Sequence, residues 1–288
     1  MAHISAGTAY TIINRQSGTV VTLNQSTLGG SIPDGSALQQ WLLEDAGNGF
    51  YYIRSAYSSK PYIDASVNET NPMTCGGKKC AWKITLDPAD DTCFNVLTPE
   101  GNRCMELANG SIAPNTQIFT VSFGDRANQS WIFNPIPLFK PVTQHFVLRN
   151  LATGTVADLN WEAKDVVGAP SGASTNQIWE AEPVNKAINL YCIRNVSQGS
   201  YLSLAGKPVD RSPVIVTPTK QIWEIRPDPS APNPELGQVV RIFYQSTDLM
   251  MDLAESSTKP DAPVIMCPLS QSRVNQEWRI KGLLGSNE

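Results

Sequence analysis

The stretches NQIWEAE (Asn176–Glu182), KQIWEIR (Lys220–Arg226) and NQEWRIK (Asn275–Lys281) each place a Gln two residues before a Trp. Tryptophan offers a large apolar ring and one N–H donor, and glutamine offers an amide that both donates and accepts. That pairing suits packing and turn support more than bond-making. Residues that make and break bonds are scarce elsewhere. The two histidines, His3 and His145, lie in no convincing nucleophile or metal setting. No Gly-rich phosphate loop and no Gly-x-Ser-x-Gly elbow occurs. Paired carboxylates for glycoside hydrolysis stay open, since such partners need only meet in space. The six cysteines are Cys75, Cys80, Cys93, Cys104, Cys192 and Cys267. Cys75 and Cys80 flank GGKK and could pair or hold a metal, but zinc wants further Cys or His ligands at regular spacing. Neither a metal nor a cofactor is expected, and no enzymatic activity.

The elements that position these residues must be built from 288 residues, 41% hydrophobic and 17% charged. That length is comfortable for two domains. An average globular protein is roughly 25% charged, so low charge with plentiful Gly, Pro, Ser, Thr and Asn predicts many short strands and turns. The net charge is −4 with no basic block, which makes nucleic acid a poor partner. The N-terminal MAHISAGTAY has no positive n-region or apolar h-region, and no apolar run could span a bilayer. A cytoplasmic location without a transmembrane segment is expected. The Asn-x-Ser/Thr sequons at Asn24, Asn68, Asn109, Asn128 and Asn195 then read as turn residues, not glycosylation sites.

Six of the seven tryptophans fall into one pattern: QQWLLE at Trp41, CAWKIT at Trp82, QSWIFN at Trp131, QIWEAE at Trp179, QIWEIR at Trp223 and QEWRIK at Trp278. Cys80 replaces the Gln in the second. An apolar run precedes each by 31 to 37 positions, beginning at Tyr10, Tyr51, Phe94, Phe146, Tyr191 and Ile242. The chain therefore repeats a unit of roughly forty to fifty residues six times. Each copy carries period-two runs separated by turns, enough for four short strands. Six such units permit a six-bladed propeller or two β-trefoils of three units. The Pro-rich stretch FNPIPLFKPVTQ (Phe133–Gln144) divides the units three and three. We therefore expect an all-β chain of two tandem β-trefoil domains, 1–137 and 145–288. A second Pro-rich stretch, Pro227–Gly237, reads as a loop insertion, because one unit alone cannot bury a core.

Repeats of this length closing on Gln-x-Trp resemble ricin-B-type lectin domains over nearly the whole chain. The texture of Gly154–Trp179 looks most like the fungal cytoplasmic members. The resemblance implies a core role for each Trp and a loop-supporting role for its Gln. It also implies glycan binding without catalysis, through an Asp near the end of a unit's second strand, an aromatic residue on the third, and an Asn before the Gln. A carboxylate and an amide would meet adjacent sugar hydroxyls while a ring covers the C–H face.

On that pattern unit four supplies Asp158 and Asn176, unit six Asp252 and Asn275, and unit three the variant Glu106 and Asn128. Unit one (Thr22, Leu38) and unit five (Ser203, Lys220) lack the set, and unit two has Asp64 but Lys79-Cys80. Ala169, Cys267 or Pro268, and Val121 fall at the ring position of units four, six and three, so none keeps the aromatic, although Phe119 and Phe123 lie near the last. Trp161, in the polar hairpin NWEAKD, could supply a stacking face for unit four, or a domain or subunit contact. Asp158 and Asp252 could equally be hairpin turn residues. A monosaccharide of about 12 heavy atoms at ~0.3 kcal/mol each binds near millimolar, so several sites per chain, or a homodimer, are expected to supply avidity. The rival reading is a protein-binding trefoil such as a protease inhibitor, with Pro227–Gly237 as its stiff presenting loop.

Overall fold

The period-two texture of every copy forms four strands in the computed structural model, which describes residues 3–56, 62–66, 68–141, 143–228, 237–270 and 273–283. Repeat one holds β1 (Ala9–Asn14), β2 (Val20–Asn24), β3 (Thr27–Ser31) and β4 (Trp41–Gly47). Repeat two holds β5 (Phe50–Ser55), β6 (Tyr62–Asp64), β7 (Thr74–Gly76) and β8 (Ala81–Asp87). Repeat three holds β9 (Asp90–Leu97), β10 (Arg103–Leu107), β11 (Thr116–Ser122) and β12 (Ser130–Pro135). The second half repeats the plan: β13 (Phe146–Asn150), β14 (Val156–Asn160), β15 (Asp165–Ala169) and β16 (Trp179–Asn185) form repeat four. Repeat five is β17 (Leu190–Asn195), β18 (Tyr201–Leu204), β19 (Val214–Thr217) and β20 (Trp223–Pro227). Repeat six is β21 (Val239–Tyr244), β22 (Leu249–Leu253), β23 (Ala262–Pro268) and β24 (Trp278–Gly282).

Pairing decides between propeller and trefoil. The first and fourth strands of successive repeats close a ring, β1–β4–β5–β8–β9–β12 and back to β1. The second half closes β13–β16–β17–β20–β21–β24 in the same way. Second and third strands form hairpins over the ring, and β3 also meets β7 and β11. Blades of a propeller would pair internally; here every repeat shares its ladder with its neighbours, which is the β-trefoil. The chain divides between Ile136 and Pro137 into two units. Part of the Pro-rich joint is structured: Phe139 is buried in the second core, its N–H donating to Asn189 Oδ1 at 2.8 Å. Most of the Pro227–Gly237 insertion (229–236) lies outside the described residues.

Each repeat buries its tryptophan completely, and each indole N–H donates to a carbonyl of the second strand. The acceptors are Val21, Ile63, Met105, Ala157, Leu202 and Met251, at 2.8–3.2 Å. The ring fills the core while its one polar atom is satisfied. Asn14, Asn150 and Asn195, ending β1, β13 and β17, are also fully buried. Their amides donate to the backbone carbonyls of Asn128, Asn275 and Asn176, tying one repeat to the next. The Asn195 sequon is thus enclosed in the fold.

Cys75, Cys93, Cys104, Cys192 and Cys267 are buried and Cys80 is half-buried. Burial pushes the thiols of Cys75 and Cys104 up to about 12 and that of Cys267 to about 11. Since the thiolate is the nucleophile, native protein at pH 8 is expected to alkylate first at Cys80, with the buried five reacting only after denaturation. Peptide mapping after a timed iodoacetamide pulse checks this.

Candidate functional site

Four repeats use their glutamine identically. The side-chain oxygens of Gln39, Gln129, Gln177 and Gln276 accept from the N–H of Asp34, Gly124, Gly172 and Ser270 at 2.8–3.0 Å. Their Nε2 atoms donate to the carbonyls of Ile32, Ser122, Pro170 and Pro268 at 2.9–3.2 Å. The other Nε2 proton reaches the acid position of the second strand: Thr22 (3.2 Å), Glu106 (2.7 Å), Asp158 (2.7 Å) and Asp252 (3.0 Å). One amide therefore closes the loop between third and fourth strands and orients the acid under it. Gln221 departs, accepting from the Tyr244 hydroxyl at 3.1 Å.

The acids differ in what else holds them. In repeat six Asp252, 2% exposed, accepts from Asn275 Nδ2 at 2.7 Å through Oδ1 and from Gln276 through Oδ2. Asn275 also donates to the Leu253 carbonyl at 2.9 Å. A cleft of about 270 Å³ opens over this set, lined by Arg211, Asp252, Glu255, Ser256, Ile265, Cys267, Arg273 and Asn275. Burial raises the Asp252 carboxyl above the ordinary aspartate range, opposed by the Gln276 hydrogen bond and by the charges of Arg273 and Arg211. A carboxylate has about four lone-pair positions; Asn275, Gln276 and the Cys267 thiol fill three, leaving acceptor capacity for one hydroxyl toward the cleft.

In repeat four Asp158 is half-buried and takes only the Gln177 bond. Asn176 does not join it. Ser197, from the next repeat, donates to Asn176 Oδ1 at 2.9 Å and draws that side chain away. Trp161 stands at the β14–β15 turn, 54% exposed, with Lys164 Nζ 5.9 Å from its ring centroid. In repeat three Asn128 donates to the Leu107 carbonyl at 3.0 Å, as Asn275 does to Leu253. Glu106, however, is engaged by Arg126, whose Nη2 lies 2.9 Å from Oε2.

The register corrects the ring position. Glu106 faces Phe119, Asp158 faces Val167 and Asp252 faces Ile265. Val121, Ala169 and Cys267 sit two pairs away on the same face, across from Cys104, Val156 and Met250. Repeat three thus does present an aromatic residue to its acid, the half-buried Phe119. In the sequence Phe119 lies close to the expected ring position, whereas Arg126, Arg211 and Arg273 carried no sequence signal beyond charge.

The middle repeats are filled from within. Lys79 takes the place of the Asn in repeat two, its ammonium 4.8 and 4.9 Å from the ring centroids of Tyr52 and Tyr62 and 3.4 Å from Glu44. Lys220 does the same in repeat five, 5.3 Å from the Tyr201 centroid and 2.7 Å from Glu182. That hydrogen bond holds Glu182 below the ordinary carboxylate range. Among the described residues no cluster could hold a metal, and no helix is long and apolar enough to cross a membrane.

Comparison with known proteins agrees with this architecture. The family model of the ricin-type beta-trefoil lectin domain-like proteins matches residues 2–74, 39–121, 127–217 and 175–267. A mosquitocidal holotoxin structure superposes with a TM-score of 0.66 at 16% identity, covering 98% of this chain and 35% of the holotoxin's. A ricin B-like lectin of Macrolepiota procera, solved with lactose, is 29% identical over 49% of this chain and 96% of its own, with a TM-score of 0.44. The agglutinin of Rhizoctonia solani is 24% identical over 51% of this chain and 99% of its own, with a TM-score of 0.43. Comparison with curated protein sequences gave no match. With its family model matched over residues 2–121 and 127–267 and its six repeats folded as two trefoils, the chain belongs to the ricin-type β-trefoil lectin domain-like family.

Proposed function

We propose that this protein binds glycans without catalysis, with its principal site at repeat six and a second at repeat four. The observation that carries the reading is the Asp252 carboxylate, held by the amides of Asn275 and Gln276 at the floor of a cleft. A preorganised acceptor of this kind matches a sugar hydroxyl. At repeat four Asp158 is the acceptor and the exposed Trp161 ring is the stacking face. Repeat three is the weakest candidate, because Arg126 competes with any ligand for Glu106. Two sites in one chain supply the avidity that a near-millimolar monosaccharide site lacks.

A glycan array with the purified protein tests the proposal, repeated with Asp158→Ala and Trp161→Ala. Specific binding is expected. Each variant is expected to weaken a repeat-four ligand about ten-fold, the effect of roughly 1.4 kcal/mol from a lost charge-assisted bond or stacked ring. A blank array would end the lectin reading. Trp161→Ala without effect would return that ring to a surface role.

A further inference from the structure

We infer that the repeat-six cleft selects a saccharide bearing an anionic group, a carboxylate or a sulfate ester, gripped by Arg211 and Arg273 while Asp252 accepts from a ring hydroxyl. The inference rests on reading this cleft as a sugar site and adds the class of sugar.

The chain contains its own comparison. Arg126 and Arg273 occupy the same position, five residues before the tryptophan. In repeat three that arginine neutralises the acid of its own repeat, 2.9 Å from Glu106. In repeat six the acid is one methylene shorter, and its two oxygens are taken by Asn275 and Gln276. Arg273 makes no ion pair within 4 Å of any described carboxylate, and neither does Arg211. Glu255, the other carboxylate lining the cleft, pairs with neither of them.

Arg211 comes from repeat five, so the cleft is completed across a repeat boundary. Its backbone N–H donates to the Met266 carbonyl at 2.7 Å, anchoring the turn beside β23. It holds a left-handed conformation, φ 64°. Glu255 and Ser256 on the rim are also left-handed, at φ 57° and 50°, where repeat three uses Asn109 and Gly110. Left-handed residues with side chains cost of order 1–3 kcal/mol each and cluster at ligand clamps. Two guanidinium groups near Asp252, neither in an ion pair within 4 Å of a described carboxylate, form a planar, multi-donor clamp for carboxylate or sulfate oxygens. A cleft of about 270 Å³ falls just under the roughly 300–1,000 Å³ of drug-sized pockets, which suits one sugar residue.

The test measures affinity for matched glycans that are neutral, sialylated, uronic-acid-terminated or sulfated, at low and high salt. Anionic members are expected to bind at least about ten-fold tighter, with the preference shrinking as salt screens it. Arg273→Ala, and Arg211→Asn, which suits a left-handed backbone, are expected to lower anionic binding about ten-fold, well beyond any loss for neutral glycans. Arg273→Lys is expected to restore part of it. The array arms separate carboxylate from sulfate sources. Neutral glycans bound as tightly as anionic ones, and lost in Asp252→Asn but not in the arginine variants, would overturn the anionic preference and keep the sugar site. Equal loss of both classes in the arginine variants would make those residues structural and overturn the inference. Silence toward every glycan would overturn both.

Discussion

Replacing Trp278 by alanine is expected to lower the stability of the second domain by about 3–5 kcal/mol, the cost of deleting a fully buried aromatic ring. The ring is wholly enclosed, and its N–H is the partner of the Met251 carbonyl. Its loss leaves a cavity and an orphaned acceptor together, and the second adds a penalty of about 1–3 kcal/mol where water cannot enter. Domains are stable by only about 5–15 kcal/mol, so the variant sits near its folding threshold. Urea unfolding followed by amide exchange should show early opening of the strands from Phe146 to Gly282, while those from Ala9 to Pro135 keep their protection. Trp278→Phe should recover most of the packing and leave the carbonyl deficit. A shift below about 1 kcal/mol for the alanine variant would mean the cavity is refilled by its neighbours.

Asp252→Asn is expected to abolish measurable glycan binding at repeat six. A charge-assisted bond to a hydroxyl at about 1.5–3 kcal/mol is a large share of what a near-millimolar site possesses. Asparagine keeps the shape and one oxygen, so the Asn275–Gln276 frame loses less than it would with alanine. The pH dependence has a definite sign. Burial raises the native Asp252 pKa, so the proton is taken up at higher pH than by an ordinary aspartate. Binding needs the ionised acceptor, so affinity falls as pH drops through that raised value. Stability runs the other way for this group: its favourable contribution is complete below the unfolded-state pKa and disappears as pH rises through the native one. Titration calorimetry across a pH series reads the affinity, and urea unfolding over the same series reads the stability, where Asp252→Asn should remove this residue's contribution to the pH dependence.

The tryptophans made the fold legible. A residue so large, repeated at near-constant spacing before alternating texture, has one place to go, and the trefoil puts all six there. The loop-supporting glutamines were legible for the same reason, since a buried amide needs local backbone partners. The sites were only half legible, because their remaining partners come from register and from neighbouring repeats. Thirteen residues separate Glu106 from Phe119 opposite it, but nine separate Asp158 from Val167. The facing residues Phe119 and Val167 both stand twelve places before their tryptophan and Ile265 thirteen, so it is the acid whose place along the chain shifts from repeat to repeat. Asn176 precedes its Gln as Asn275 does, but Ser197 in the next repeat redirects it. Arg211 reaches repeat six from repeat five. Such contacts are set by three-dimensional closure, which no linear motif encodes.

That closure also makes the starting point of each domain arbitrary. β12 lies beside β1 and β24 beside β13, so the first and last strands of each half meet along a ladder. Joining those ends and cutting at an exposed turn between other repeats would preserve every strand pairing, which is the circumstance in which circular permutation is tolerated. The repeat, rather than the domain, is then the unit of inheritance. A single repeat can lose its acid or fill its site with a lysine while the two other repeats of its trefoil hold the scaffold.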